Sequence, residues 1–140
     1  MKLWIGTAGY SYPAWVGGFY PPGTKSDGML AHYARHFPAV EINSSFYRPP
    51  TVAQVEKMGR KVPAGFAFAL KAPRSASHDY DDAELPALKL AAERLEAEGR
   101  LLGVLVQVAE TFRNVPSNRE WLARVVGMLR PLPVTVEFRH

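Results

Sequence analysis

"FAFALK", residues 66–71, is the stretch whose reading decides the fold. Successive side chains of an extended strand point to opposite faces. Phe66, Phe68 and Leu70 therefore share one face, and Ala67, Ala69 and Lys71 share the other. One face is large and apolar; the other begins small and ends in a charge. The same asymmetry recurs in "AVEIN" (39–43), where Val40 and Ile42 oppose Glu41 and Asn43. It recurs in "LGVLVQV" (102–108), where Val104, Val106 and Val108 oppose Gly103, Leu105 and Gln107. In "PVTVEFRH" (133–140), Val134, Val136 and Phe138 oppose Thr135, Glu137 and Arg139. With the β-prone "LWIGT" (3–7), the chain offers five candidate strands.

Helical patterns separate these strands. "DGMLAHYARHF" (27–37) repeats apolar residues at helical spacing and stops at Pro38. "TVAQVEKMGRKVP" (51–63) has Thr51 as its N-cap. "ELPALKLAAERLEAEG" (84–99) is rich in strong helix formers and stops at Gly99. "SNREWLARVVGMLR" (117–130) has Ser117 or Asn118 as cap. Alternation of strands and helices predicts βαβ units and a parallel sheet. A doubly wound sheet has helices on both faces and no reason for one face to be small and polar. A β/α barrel has helices outside only and gathers its polar strand ends at the C-terminal mouth. The expected fold is therefore α/β and TIM-barrel-like, with five strands and four helices. That is short of the eight strands a closed barrel needs, so residues 1–140 are expected to form a single, partial barrel domain.

Composition sets wider bounds. A chain of 140 residues with 47% apolar content can bury one ordinary core. Seventeen Lys and Arg against thirteen Asp and Glu leave a formal charge of +4, scattered rather than clustered. This favours an anionic ligand over an acidic-tract or polybasic role. The absence of cysteine excludes disulfides and thiol nucleophiles. The start carries no signal-like apolar segment, and no run approaches the roughly 18 residues of a membrane span. A soluble cytoplasmic protein without membrane attachment is expected. Residues 8–27 hold five aromatics, four glycines and three prolines, too apolar for a free linker. Within that loop Trp15, Phe19 and Tyr20 are expected to pack, and Tyr10 and Tyr12 to wall a pocket.

Ordered motifs narrow the reading. "GTAGYSYPAWVGGFYPPGTK" (6–25), "YARHFPAVEINSSFYRPP" (33–50), "FAFALKAPRSASH" (66–78) and "VEFRH" (136–140) resemble, in order, those of the domain of unknown function 72 family, the YecE-like proteins. The resemblance implies a TIM-type β/α barrel of which this sequence is the N-terminal five-strand portion. It implies a polar pocket but no settled reaction. "QVAE" (107–110), "RSASH" (74–78) and "GTAGY" (6–10) depart from the family pattern while keeping its charged residues and glycines.

The polar face supplies the candidate site. Glu41, Glu137, Lys71 and His78 are the candidate catalytic residues: the carboxylates as acid or base, Lys71 to stabilise negative charge, His78 to move a proton. Asn43 and Gln107 suit orientation of a substrate. Tyr10, Tyr12, Tyr47, Arg48, Arg74, Arg139 and His140 are candidate binding groups for a small phosphate-bearing anion. A structural alternative has Lys71 and Arg139 neutralising Glu41 and Glu137 as a network filling the barrel. No His spacing on this face specifies a metal, and no cofactor is expected. His32 and His36 share a helix face expected to be solvated. Other expectations stay open: a nucleic-acid binder using the same basic mouth, or an inactive barrel fragment whose open sheet edges self-associate or take a partner.

Overall fold

Strand β1 (Ala39–Ile42) begins directly after Pro38, where the first helical segment must end. It pairs in parallel with β2 (Ala67–Lys71), β2 with β3 (Leu101–Gln107), and β3 with β4 (Val134–Glu137). The order β1-β2-β3-β4 gives one open, all-parallel sheet. This computed structural model describes residues 3–139. The connections are helical: α1 (Ser26–Tyr33), α2 (Val52–Gly59), the short α3 (Arg74–His78), α4 (Leu85–Ala97) and α5 (Pro116–Leu129). Helix α2 packs on α4, and α4 on α5 and β3. No helix among the described residues is long and apolar enough to cross a membrane.

The two faces of the sheet differ as the alternation predicts. Val40, Ile42, Phe68, Leu70, Val104 and Val106 are all buried beneath the helices, joined there by Leu88, Leu95, Val125 and Leu129. Glu41, Ala69, Lys71, Leu105, Gln107 and Glu137 on the opposite face are only half-buried, and Thr135 is exposed. Helix ends follow local chemistry. Thr51 and Gln54 form a reciprocal capping box that starts α2.

The five-strand expectation is corrected to four. Residues 3–7 form no strand; the segment meets β1 through a single bridge between Ala8 and Glu41. Glu41 donates to the Thr7 carbonyl at 3.1 Å and its own carbonyl accepts from Gly9 N–H at 2.8 Å. Below that bridge the Thr7 N–H turns away to the phenol oxygen of buried Tyr33 (2.8 Å). The chain passes so close at Gly6 that a Cβ there would sit 2.1 Å from the Ala39 carbonyl oxygen. Only a glycine fits at that point.

Other boundaries move for local reasons. Helix α5 starts at Pro116, whose fixed φ suits the first helical position, with Val115 rather than Ser117 or Asn118 as its cap. Asn118 instead donates to the Arg113 carbonyl (2.8 Å) and accepts from the Tyr80 hydroxyl (3.0 Å). Helix α3 was absent from the expected elements; Ser77 Oγ donates back to the Pro73 carbonyl at 3.0 Å within it. The β2–β3 register shifts between Phe68 and Ala69, and Gly103 takes φ +154° beside the Pro133 carbonyl, 3.0 Å from where its Cβ would lie.

Candidate functional site

At the C-terminal ends of the strands the inner face carries Glu41 from β1, Lys71 from β2, Gln107 from β3 and Glu137 from β4. Gln107 lies opposite Glu137 in the β3–β4 register, and its amide donates to the Glu137 carboxylate at 2.5 Å. Lys71 extends over the ring of Phe46, with Nζ 4.9 Å from the centroid, a cation–π contact. Among the described residues no carboxylate lies within 4.0 Å of Lys71 or Arg139, and the ion pairs lie elsewhere. The neutralising network expected as the structural alternative is therefore not formed.

Electrostatics on this face follow from partial burial. Desolvation raises the Glu41 carboxyl above its ordinary value; the Glu137 charge adds to the rise and Lys71 opposes it. His78 moves the other way. Burial lowers it first, then the positive charges of Arg74, Lys71 and Arg139, with Asp79 opposing. The His78 ring stands edge-on to Phe46 at 5.2 Å, and its Nδ1 lies 2.9 Å from Ser77 Oγ. Glu41 thus holds a proton more readily than a free carboxylate, and His78 holds one less readily than a free imidazole. Two titratable groups pushed in opposite directions at one end of a sheet form an arrangement suited to proton transfer.

Strand β1 stops at Ile42, so Asn43 does not continue the Glu41 face. It opens a short 3-10 turn, Asn43–Phe46, because Ser45 folds the chain back onto β2. Ser45 is fully buried; its Oγ lies 2.5 Å from the Ile42 carbonyl and 2.7 Å from the Lys71 carbonyl, and accepts from Lys71 N–H at 2.9 Å. Sequence reasoning missed Ser45. A serine just past a polar strand end was its signal, but only the fold brings that hydroxyl to the end of β2. Asn43 instead lines a cleft of about 250 Å³ with Tyr10, Tyr12 and Tyr47, under the N-terminal loop.

The rim residues spread more widely than their motifs suggest. Tyr47 is 78% exposed. Arg74 is exposed and pairs with Asp79 at 3.3 Å. Arg48 turns away from the inner face and lines a second cleft, between α1 and α2. Arg139 is exposed beyond β4, and His140 lies outside the described residues. In the long loop Tyr20 is buried, its hydroxyl donating to the Tyr10 carbonyl at 2.5 Å, and burial pushes its phenol up to about 12. Trp15 and Phe19 pack with it. His32 and His36 are not simply solvated: each ring lies 5.3 Å from Phe19.

The family model described as protein of unknown function DUF72 matches residues 4–140. The chain belongs to this family. A crystal structure of a DUF72 family protein from Thermotoga maritima superposes with a TM-score of 0.81 at 30% identity, covering 98% of this chain and 55% of that one. One from Enterococcus faecalis superposes at 0.73 with 25% identity, covering 84% of this chain and 50% of that one. The UPF0759 protein YunF of Bacillus subtilis is 28% identical over 130 residues, 86% of this chain and 46% of that protein. The chain thus spans about half the length of these DUF72 relatives.

Proposed function

We propose that this DUF72 chain forms part of a β/α barrel whose inner face, at the C-terminal strand ends, binds a small phosphate-bearing anion and carries acid/base groups to act on it. The observation that supports this most directly is Lys71. It is half-buried on the inner face, lies against Phe46 and has no carboxylate within 4.0 Å among the described residues, while its charge opposes the rise of the Glu41 carboxyl. A lysine placed only to fill a core would be neutralised or replaced by an apolar residue. An unneutralised, partly desolvated ammonium beside a carboxyl that favours its proton suits an oxyanion and a proton donor working together. In this reading Glu41 exchanges the proton, Gln107 fixes Glu137, and His78 supplies a neutral imidazole at the rim. The half-length match to the Thermotoga maritima protein supports the barrel reading, since an open parallel sheet with one uncovered face is what part of a barrel presents.

The test is a titration with a panel of phosphate monoesters, followed by calorimetry on variants. Lys71→Met is expected to weaken binding by about tenfold or more, the loss of one charge-assisted contact. Glu41→Gln is expected to keep binding and remove its pH dependence. Unchanged affinity in Lys71→Met overturns the assignment.

A further inference from the structure

Helix α2 packs on α4, and α4 on α5, but α1 and α2 leave a cleft of about 520 Å³ between them. Its lining carries three cations, Arg48, Lys57 and Lys61, against one carboxylate, Asp27, and is net positive. These charges have unequal duties. Lys61 is pinned: its ammonium donates to both the carbonyl and the carboxylate of Asp27. Lys57 lies 3.6 Å from the same carboxylate with a largely exposed side chain. Arg48 is exposed, and no carboxylate among the described residues lies within 4.0 Å of it. The Asp27 charge is thus shared, closely by Lys61 and more loosely by Lys57, while Arg48 lines the cleft without a carboxylate partner among the described residues.

The rest of the lining is divided by chemistry. Leu30 and Ile42 are buried, and Met58, Pro49 and Pro50 extend the apolar surface. Gln54 uses its amide oxygen to cap Thr51 N–H at 2.8 Å, which leaves its NH₂ group available. Tyr10 adds a phenol, which burial and the Asp27 charge keep protonated and hence a donor. We infer that this cleft is a second ligand site, which takes an organic phosphate monoester: the phosphate between Arg48 and Lys57, the apolar body over Leu30, Ile42 and Met58. A bidentate guanidinium and a mobile ammonium suit a phosphate, and the apolar lining suits the ester group. The inference goes beyond the inner-face reading and does not depend on it, because the two sites use different cations.

Calorimetric titration with phenyl phosphate tests it, with phenol and inorganic phosphate as half-ligands. Phenyl phosphate is expected to bind more tightly than either half. Arg48→Met and Lys57→Met are each expected to weaken it about fivefold, as loss of one exposed charge contact should. Asp27→Asn removes the opposing charge and releases Lys61, so it is expected to tighten binding. Lys71→Met is expected to remove the inner-face binding event and leave the dissociation constant of this cleft unchanged, so Arg48→Met and Lys57→Met are titrated in that background, which separates this site from the inner face. Both cations are at the surface, and thermal melts of each variant establish that it is folded. Absence of saturable phenyl phosphate binding overturns the inference, as does affinity that Arg48→Met and Lys57→Met leave untouched. So does the loss of all phenyl phosphate binding in Lys71→Met.

Discussion

The two faces of one sheet are governed by opposite rules. On the outer face Phe68, Leu70 and Val104 are fully buried, and the helix layer carries several ion pairs: Arg94 with Glu56 at 2.9 Å and Glu98 at 2.8 Å, Arg124 with Asp82 at 2.7 Å. On the inner face the polar side chains at the strand ends are half-buried, and Lys71 and Glu41 have no ion pair among the described residues. Pairing is thus found where water already screens charge and pairing matters least. It is missing where partial desolvation makes a lone charge unfavourable. The difference teaches that the outer face is organised for stability and the inner face for something that stability alone does not require.

The largest expected effect separates the faces by packing. Phe68→Ala should lower unfolding stability by about 3–5 kcal/mol, the cost of a cavity in a sealed core. Leu105→Ala, on the half-exposed face, should cost well under half of that; equal denaturant midpoints for the two would erase the distinction. Next comes the stitch between them. Ser45→Ala leaves the Lys71 N–H without its buried partner and should cost about 1–3 kcal/mol. The same variant should weaken anion binding, since Lys71 loses its backbone anchor; a stability loss with untouched affinity would show that Ser45 serves the fold alone.

A smaller effect reads the inner-face electrostatics. The Glu41 carboxyl is raised by burial, so its contribution to stability is complete below its unfolded value and is lost as pH rises through the raised folded value. Glu41→Gln should therefore melt higher than the parent at pH 7 and equally near pH 3. A gain that is the same at both pH values would show that charge is not its cause. His78 has the opposite sign: its folded value is lowered, so stability falls as pH drops through that value. The smallest effect belongs to the outer surface. Arg94→Met should cost no more than about 1 kcal/mol and less in high salt, as expected of an exposed pair.

Much of this was legible from local periodicity. Alternation in residues 66–71 and 102–107 assigned side chains to faces, and the structure buries Phe66, Phe68, Leu70, Val104 and Val106 while leaving Ala69, Lys71, Leu105 and Gln107 half-buried. Thr51 reads as a cap from its own neighbours, and the structure shows the capping box. The misses share a different cause. "LWIGT" has strand composition, but the Thr7 N–H bonds to the hydroxyl of Tyr33, 26 residues away in sequence, and not to β1. Asn43 follows the strand in sequence and leaves it in space. Arg48 reads with the rim motif "FYRPP" yet turns into the helix cleft.

The sequence by itself therefore determined the class of fold, the parallel order of the sheet's elements and the identity of its polar face. Those follow from side-chain period and chain stiffness, which act over a few residues. Only the tertiary structure decided that Lys71 has no ion pair among the described residues, that Ser45 ties β1 to β2, and that Arg48 and Lys57 line one cleft. Each depends on distances between segments far apart in the chain. Such distances are set by how helices pack and where turns close, and no residue's neighbours in sequence encode them.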